Sequence, residues 1–123
     1  MELSLERSEI AILVLHMNIM RKPIKKGFKS NYGLKEGRRL IKEYDSLKLQ
    51  LEDKINQEEE TQIFIWNENE INMLRSFLNW YVLEISSSAE TQGANIENDE
   101  QFKILTGIHN KVNRTVEMAE FIK

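Results

Sequence analysis

The stretch Gln62-Ile63-Phe64-Ile65-Trp66, followed by Asn67-Glu68-Asn69-Glu70, carries two local signals back to back. Its first five residues are rich in β-branched and aromatic side chains, and Phe64 and Trp66 share one face of an extended chain. That pattern predicts a short strand. At Asn67 the side chain can accept from the amide three residues on, and Glu70 can reach back to the amide of Asn67. This is a capping box, so the strand is predicted to give way directly to a helix. The helix is expected from about Glu68 to Ile85, with Ile71, Leu74, Leu78, Tyr81 and Ile85 on one stripe.

The same order occurs once more near the N-terminus. Sliding the sequence against itself by 61 residues lays residues 1–62 on 62–123 without a gap. Identical pairs include Glu9–Glu70, Ile10–Ile71, Leu13–Leu74, Asn18–Asn79 and Ile24–Ile85, and apolar character agrees at Leu3–Phe64, Leu5–Trp66, Met17–Leu78, Tyr44–Leu105, Leu47–Ile108 and Leu51–Val112. An internal repeat sets the topology before any finer reading. Each half then reads as an extended segment, an apolar helix, a polar loop and an amphipathic helix.

In the first half Leu3–Leu5 is the matching strand, expected to pair with Ile63–Trp66 in a two-stranded antiparallel ribbon. A helix from about Glu6 to Met20 carries Ile10, Leu13, Met17 and Met20. A second, from Leu34 or Glu36 to Glu59, carries Leu40, Tyr44, Leu47, Leu51 and Ile55. The last helix, about Asp99 to Ile122, carries Phe102, Leu105, Val112, Val116 and Ala119, with Asn98 or Asp99 as its cap. The loops are expected at Arg21–Gly33 and Ser86–Asn98, the second of them mobile. The fold class is mainly α: one domain over residues 1–123, a four-helix bundle-like arrangement of two βαα-like pseudo-repeats.

Two of these helices are apolar beyond one stripe. Ile12, Leu15 and Ile19 widen the first, and Met73, Phe77 and Trp80 widen the third. A helix that is apolar nearly all round is normally covered on more than one side. These two are therefore expected to be the central pair of the bundle, with Trp80 mostly buried. The alternative is that part of this surface meets a second copy, as in a homodimer, or another partner.

Composition limits the functions on offer. A length of 123 residues suits one domain, and an apolar fraction of 41% suffices for a core. The chain has no Cys, which excludes a disulfide scaffold, a thiolate zinc site and a cysteine nucleophile. With only two His, neither a metal nor another cofactor is expected. One Pro and five Gly leave little room for a turn-rich β-sandwich. The longest apolar run, Ile10 to Leu15, is too short to span a bilayer. Glu2, Glu6 and Glu9 precede that run where a signal peptide would be basic, so a cytoplasmic protein is expected. Heavy use of Ile, Asn and Lys fits an AT-rich genome, such as a low-GC bacterium, its phage or another mobile element.

Charge is the sharpest feature of the sequence. Between Arg21 and Lys42 lie Arg21, Lys22, Lys25, Lys26, Lys29, Lys35, Arg38, Arg39 and Lys42, opposed only by Glu36. That segment carries nine basic residues and one acid, a net +8, so a chain of net charge −3 has −11 elsewhere. Phe28 and Tyr32 interleave with these bases, as stacking side chains do in nucleic-acid sites. No helix-turn-helix, zinc-finger or RNA-recognition pattern accompanies them, and a net acidic domain makes a poor general nucleic-acid binder. The candidate partner-binding residues are Arg21, Lys22, Lys25, Lys26, Phe28, Lys29, Tyr32, Arg38 and Arg39.

Catalytic groups are sparse. His16 sits in an apolar helix and His109 beside a helix stripe, which suits half-buried structural histidines. Ser86-Ser87-Ser88 lacks a partnered His or a glycine-rich elbow. No GxGxxG, GxxxxGK[ST] or HExxH pattern occurs. Asn18 and Asn79 are equivalent polar positions that either pair to fix register or face solvent. An enzyme is not expected. The expected function is non-enzymatic protein binding by a small regulator, adaptor or inhibitor, with nucleic-acid binding through residues 21–42 as the alternative.

Overall fold

In a computed structural model, which describes residues 1–93 and 99–122, the chain is mainly helical with one short antiparallel sheet. The order is β1 (Glu2–Glu6), α1 (Arg7–Ile55), β2 (Thr61–Ile65), α2 (Glu68–Thr91) and α3 (Glu100–Ile122). Alternation decides the faces of the ribbon. Leu3 and Leu5 on β1, and Gln62 and Phe64 on β2, are buried, while Glu2, Ser4, Glu6, Ile63 and Ile65 point outward. The chain resolves into two compact units, Ser4–Gln62 and Met1–Leu3 with Ile63–Lys123.

The first unit is a helical hairpin. α1 is helical throughout except at Gly33, whose φ of 85° and ψ of 170° lie where only glycine is comfortable. The two arms, residues 7–32 and 34–55, run antiparallel. Arg7 Nε donates to the Ile55 carbonyl at 3.1 Å, and the Tyr44 hydroxyl donates to the Met17 carbonyl at 2.6 Å. Ile10, Leu13, Met17, Ile24 and Phe28 of the first arm are buried, as are Leu40, Tyr44, Leu47 and Leu51 of the second. Near the tip the backbones come very close. A Cβ built on Gly37 would lie 2.8 Å from Lys29 Cα, so no larger residue fits there without parting the arms.

The second unit starts from a strand pair that closes on itself. The amide of Trp66 donates to the Met1 carbonyl at 2.9 Å, and the Met1 amino group donates to the Trp66 carbonyl at 2.8 Å. Phe64 and Trp66 stack at 4.8 Å, with Trp66 only 1% exposed. The Asn67 capping box is present as read: Glu70 N donates to Asn67 Oδ1 at 2.8 Å and Asn67 N to Glu70 Oε1 at 3.0 Å. α2 buries Ile71, Met73, Leu74, Phe77, Leu78 and Tyr81, and α3 buries Leu105, Ile108, Val112 and Val116. Asp99 caps α3, accepting from the amide of Phe102 at 2.9 Å. Arg75 Nε donates to Asn113 Oδ1 across the two helices at 2.9 Å.

Several expectations need correction. The stretch Arg21–Gly33 is helical up to residue 32, because Ile24 and Phe28 continue the buried stripe of Ile10, Leu13 and Met17. Pro23 sits inside this arm on an exposed turn. There the carbonyl of Ile19, which proline deprives of its helical donor, can turn to water. The helix is therefore one broken element where two helices and a loop are expected, giving three helices among the described residues. α2 runs on through Ser86–Ser88 to Thr91 because Ala89 extends its buried face. Residues 94–98, including the alternative cap Asn98, lie outside the described residues. Leu15 and Ile19 are 44% and 58% exposed, so the second face of the first helix is solvent-facing, whereas Trp80 on α2 is mostly covered.

Candidate functional site

The hairpin gathers the basic residues at its closed end. Because the arms fold back at Gly33, residues 21–32 lie alongside residues 34–45, and charges spread over the sequence share one end of one unit. Phe28 is buried, meeting Tyr44 and Tyr32 edge-on at 6.4 Å each. It is thus a core residue with no open face for stacking. Tyr32 is half in solvent at the hairpin tip, beside exposed Leu34.

Two of the nine cations are held by carboxylates. Arg21 forms a two-pronged pair with Asp45, Nε to Oδ1 at 2.8 Å and Nη2 to Oδ2 at 2.7 Å. The hydrogen bonds from Arg21 hold the Asp45 carboxyl below the usual carboxylate range, and the charge of Arg21 adds to this. Arg39 bonds to Glu36 through Nε at 2.9 Å and to Glu43 through Nη1 at 2.6 Å, and the Arg39 hydrogen bond likewise depresses Glu36. Glu43 and Asp45 lie just beyond the basic segment. The Arg39–Glu43 spacing of four was legible as a helical pair. Asp45 needed the hairpin to bring it across to Arg21.

Among the described residues, Lys22, Lys25, Lys26, Lys29, Lys35, Arg38 and Lys42 enter no ion pair. Lys22, Lys26 and Arg38 are exposed, and Lys25 and Lys29 are half-buried. The first arm arranges some of them in line. Leu15, Ile19, Lys22 and Lys26 follow a spacing of 4-3-4 along the solvent side. Half-buried Ile12 and Lys29 continue the spacing at either end, with Lys29 set at the edge where its backbone meets Gly37 of the second arm, roughly 25 Å in all at 1.5 Å per residue. The stripe is apolar in its first half and basic in its second.

Other surfaces offer less chemistry. A polar concavity of about 410 Å³ is lined by Asn72, Arg75, Ser76, Asn79 and Asn113. Asn79 faces it, and Asn18 is also exposed, so neither asparagine fixes register from within a core. His109 lies half-buried nearby. Burial, and secondarily the charge of Arg75, lowers its pKa below the ordinary 6.5. A shallower concavity at Arg114, Glu117, Met118 and Phe121 holds about 360 Å³, with Phe121 91% exposed. Among the described residues no three His, Asp or Glu side chains converge on a metal position, and no helix is long and apolar enough to cross a membrane.

No family model, curated protein or solved structure matches this chain.

Proposed function

We propose that the chain is a non-enzymatic, cytoplasmic protein-binding regulator, adaptor or inhibitor whose contact surface is the basic end of the α1 hairpin. The observation that carries this reading is the set of lysines and Arg38 without ion pairs at one end of a hairpin whose core is already complete. Like charges held this close repel one another, and an acidic partner relieves that repulsion. Arg21 and Arg39, by contrast, serve the hairpin through Asp45, Glu36 and Glu43.

The two halves are further read as pseudo-repeats of one bundle-like domain. Three features support this. Glu9 accepts from the amide of Glu6 at 2.9 Å, as Glu70 does from Asn67. The strand faces Leu3–Leu5 and Phe64–Trp66 are buried alike. So are Ile10 and Ile71, Leu13 and Leu74, Tyr44 and Leu105, and Leu47 and Ile108.

The alternative is nucleic-acid binding by the same cations, favoured by the seven that have no ion pair. Two facts speak against it: Phe28 has no face to stack with, and three acids stand among the bases. Affinity capture from the native host, with and without nuclease, separates the two. The expected result is a protein partner retained after nuclease and lost on combined charge reversal at Lys25, Lys26 and Lys29. Retention by that triple variant places the site elsewhere.

A further inference from the structure

The stripe Ile12-Leu15-Ile19-Lys22-Lys26-Lys29 has an unusual distribution. Apolar and basic side chains are separated along the helix axis, not around it. Leu15 and Ile19 are 44% and 58% exposed, and the three lysines that follow have no acid within ion-pair distance among the described residues. Both halves sit on one side of the first arm, opposite buried Met17, Ile24 and Phe28, with half-buried Lys29 at the edge of that side against Gly37 of the second arm. What covers this stripe must match both halves in order.

Three kinds of partner can be weighed against that order. A helix lying flat on a lipid surface needs its apolar residues continuous along the axis, with basic residues flanking them at headgroup height. Here the flat-lying pose would point Lys22, Lys26 and Lys29 straight into the acyl layer. A nucleic-acid backbone would satisfy the lysines and leave Leu15 and Ile19 against water. A second copy in parallel would set lysine against lysine. With the stripe laid antiparallel over its whole length, a second copy would set Lys29 on Ile12, Lys26 on Leu15 and Lys22 on Ile19, which neutralises nothing. A helix that is acidic over two turns and apolar over the next two satisfies both halves.

Resting on the reading of the basic end as a protein-binding surface, we propose that this stripe docks one acidic amphipathic helix of a partner protein. The partner's Asp/Glu turns lie on Lys22, Lys26 and Lys29, and its Leu/Ile turns lie on Ile12, Leu15 and Ile19. The 3-4 spacing is that of a helix-on-helix seam, in which each side chain enters the gap between facing residues. Dipoles set the direction. Antiparallel docking brings the partner's N-terminal turns over the lysines, and acids in those turns are also favoured by the partner's own helix dipole. The recognised sequence is therefore acidic first and apolar second, over about 18 residues at 1.5 Å rise each.

The test uses the full chain and fluorescein-labelled synthetic helices read by anisotropy. The first peptide has Glu at the seam positions of its first half and Leu at those of its second. The second has the same composition with Glu and Leu interleaved along the seam. A single-stranded oligonucleotide and phosphatidylserine-containing vesicles are run beside them. The segregated peptide is expected to bind at least about tenfold tighter than the interleaved one. Leu15→Asp with Ile19→Asp should abolish the difference, as should Lys22→Glu, Lys26→Glu and Lys29→Glu combined. Should the aspartates disturb folding, by circular dichroism, Leu15→Gln with Ile19→Gln replaces them.

Equal binding of the two peptides would show that the surface reads charge alone, and this inference falls while protein binding through the basic end stands. Tight binding only to the oligonucleotide or only to the vesicles would overturn both. Concentration-dependent self-association lost in the Leu15/Ile19 variants, without peptide binding, would assign the stripe to a second copy and overturn the acidic helix.

Discussion

Replacing Gly37 by alanine isolates the closest contact of the hairpin. The new Cβ would stand 2.8 Å from Lys29 Cα and 2.9 Å from Lys29 N, both backbone atoms that no side-chain rotation can move. Ordinary carbon–carbon contacts lie at about 3.5–4.0 Å, so the arms must separate by roughly 1 Å at this level. That separation loosens Phe28 against Tyr44. Overpacking of this kind costs about 1–3 kcal/mol. Alanine also gains nearly 1 kcal/mol over glycine in a helix interior, which partly hides the cost. The comparison that removes this gain is Gly27→Ala, also in α1, where nothing lies within 4 Å of the added methyl. Gly27→Ala is expected to stabilise, and Gly37→Ala to fall below it by about 1–3 kcal/mol. With an m value of about 1–3 kcal/mol/M, urea midpoints followed by circular dichroism should differ by roughly 1 M. If both variants stabilise equally, the arms do not approach as described and the hairpin packing is wrong.

Three further outcomes follow from the same structure. Gly33→Ala should cost about 1–3 kcal/mol in urea denaturation, all of it backbone strain, since φ is +85° and no atom crowds the Cβ position. Tyr44→Phe leaves the buried ring in place but removes its hydrogen bond to the Met17 carbonyl. It should lower stability by about 0.5–1.5 kcal/mol in the same assay. His109 has a folded-state pKa below its unfolded value near 6.5, so the unfolded chain binds the proton more readily. Its contribution to stability is intact above about pH 6.5 and is lost as pH falls through the folded pKa. His109→Gln should flatten the fall in melting temperature between neutral and mildly acidic pH.

Local signals in the sequence were decisive where they were complete. The run Phe64-Ile65-Trp66-Asn67-Glu68-Asn69-Glu70 contains both the strand alternation and every atom of the cap, so strand, boundary and helix could all be read from it. The segment after Met20 reads as a loop because Pro23, Gly27 and a dense run of lysines imitate one. The helical signal there was thin but present: Ile24 and Phe28 keep the 3-4 spacing from Met17 through Arg21. The true break is Gly33, which looks no different from Gly27 in sequence, and only its positive φ distinguishes the two. At the basic end, charge was legible, but its partition was not. Asp45 reaches Arg21 only once the hairpin closes over 24 residues of sequence, leaving Lys22, Lys25, Lys26, Lys29, Lys35, Arg38 and Lys42 without an ion pair among the described residues.

The most direct measurement on the basic end is the salt dependence of the complex captured from the native host, titrated between 50 and 200 mM salt after nuclease treatment. A mixed apolar and acidic protein contact should lose affinity only modestly over that range, and charge reversal at Lys22, Lys26 and Lys29 should remove most of both the affinity and its slope. A loss of about 10³–10⁵ over the same range, with capture abolished by nuclease, would mark phosphate neutralisation by these cations and contradict a protein-binding surface.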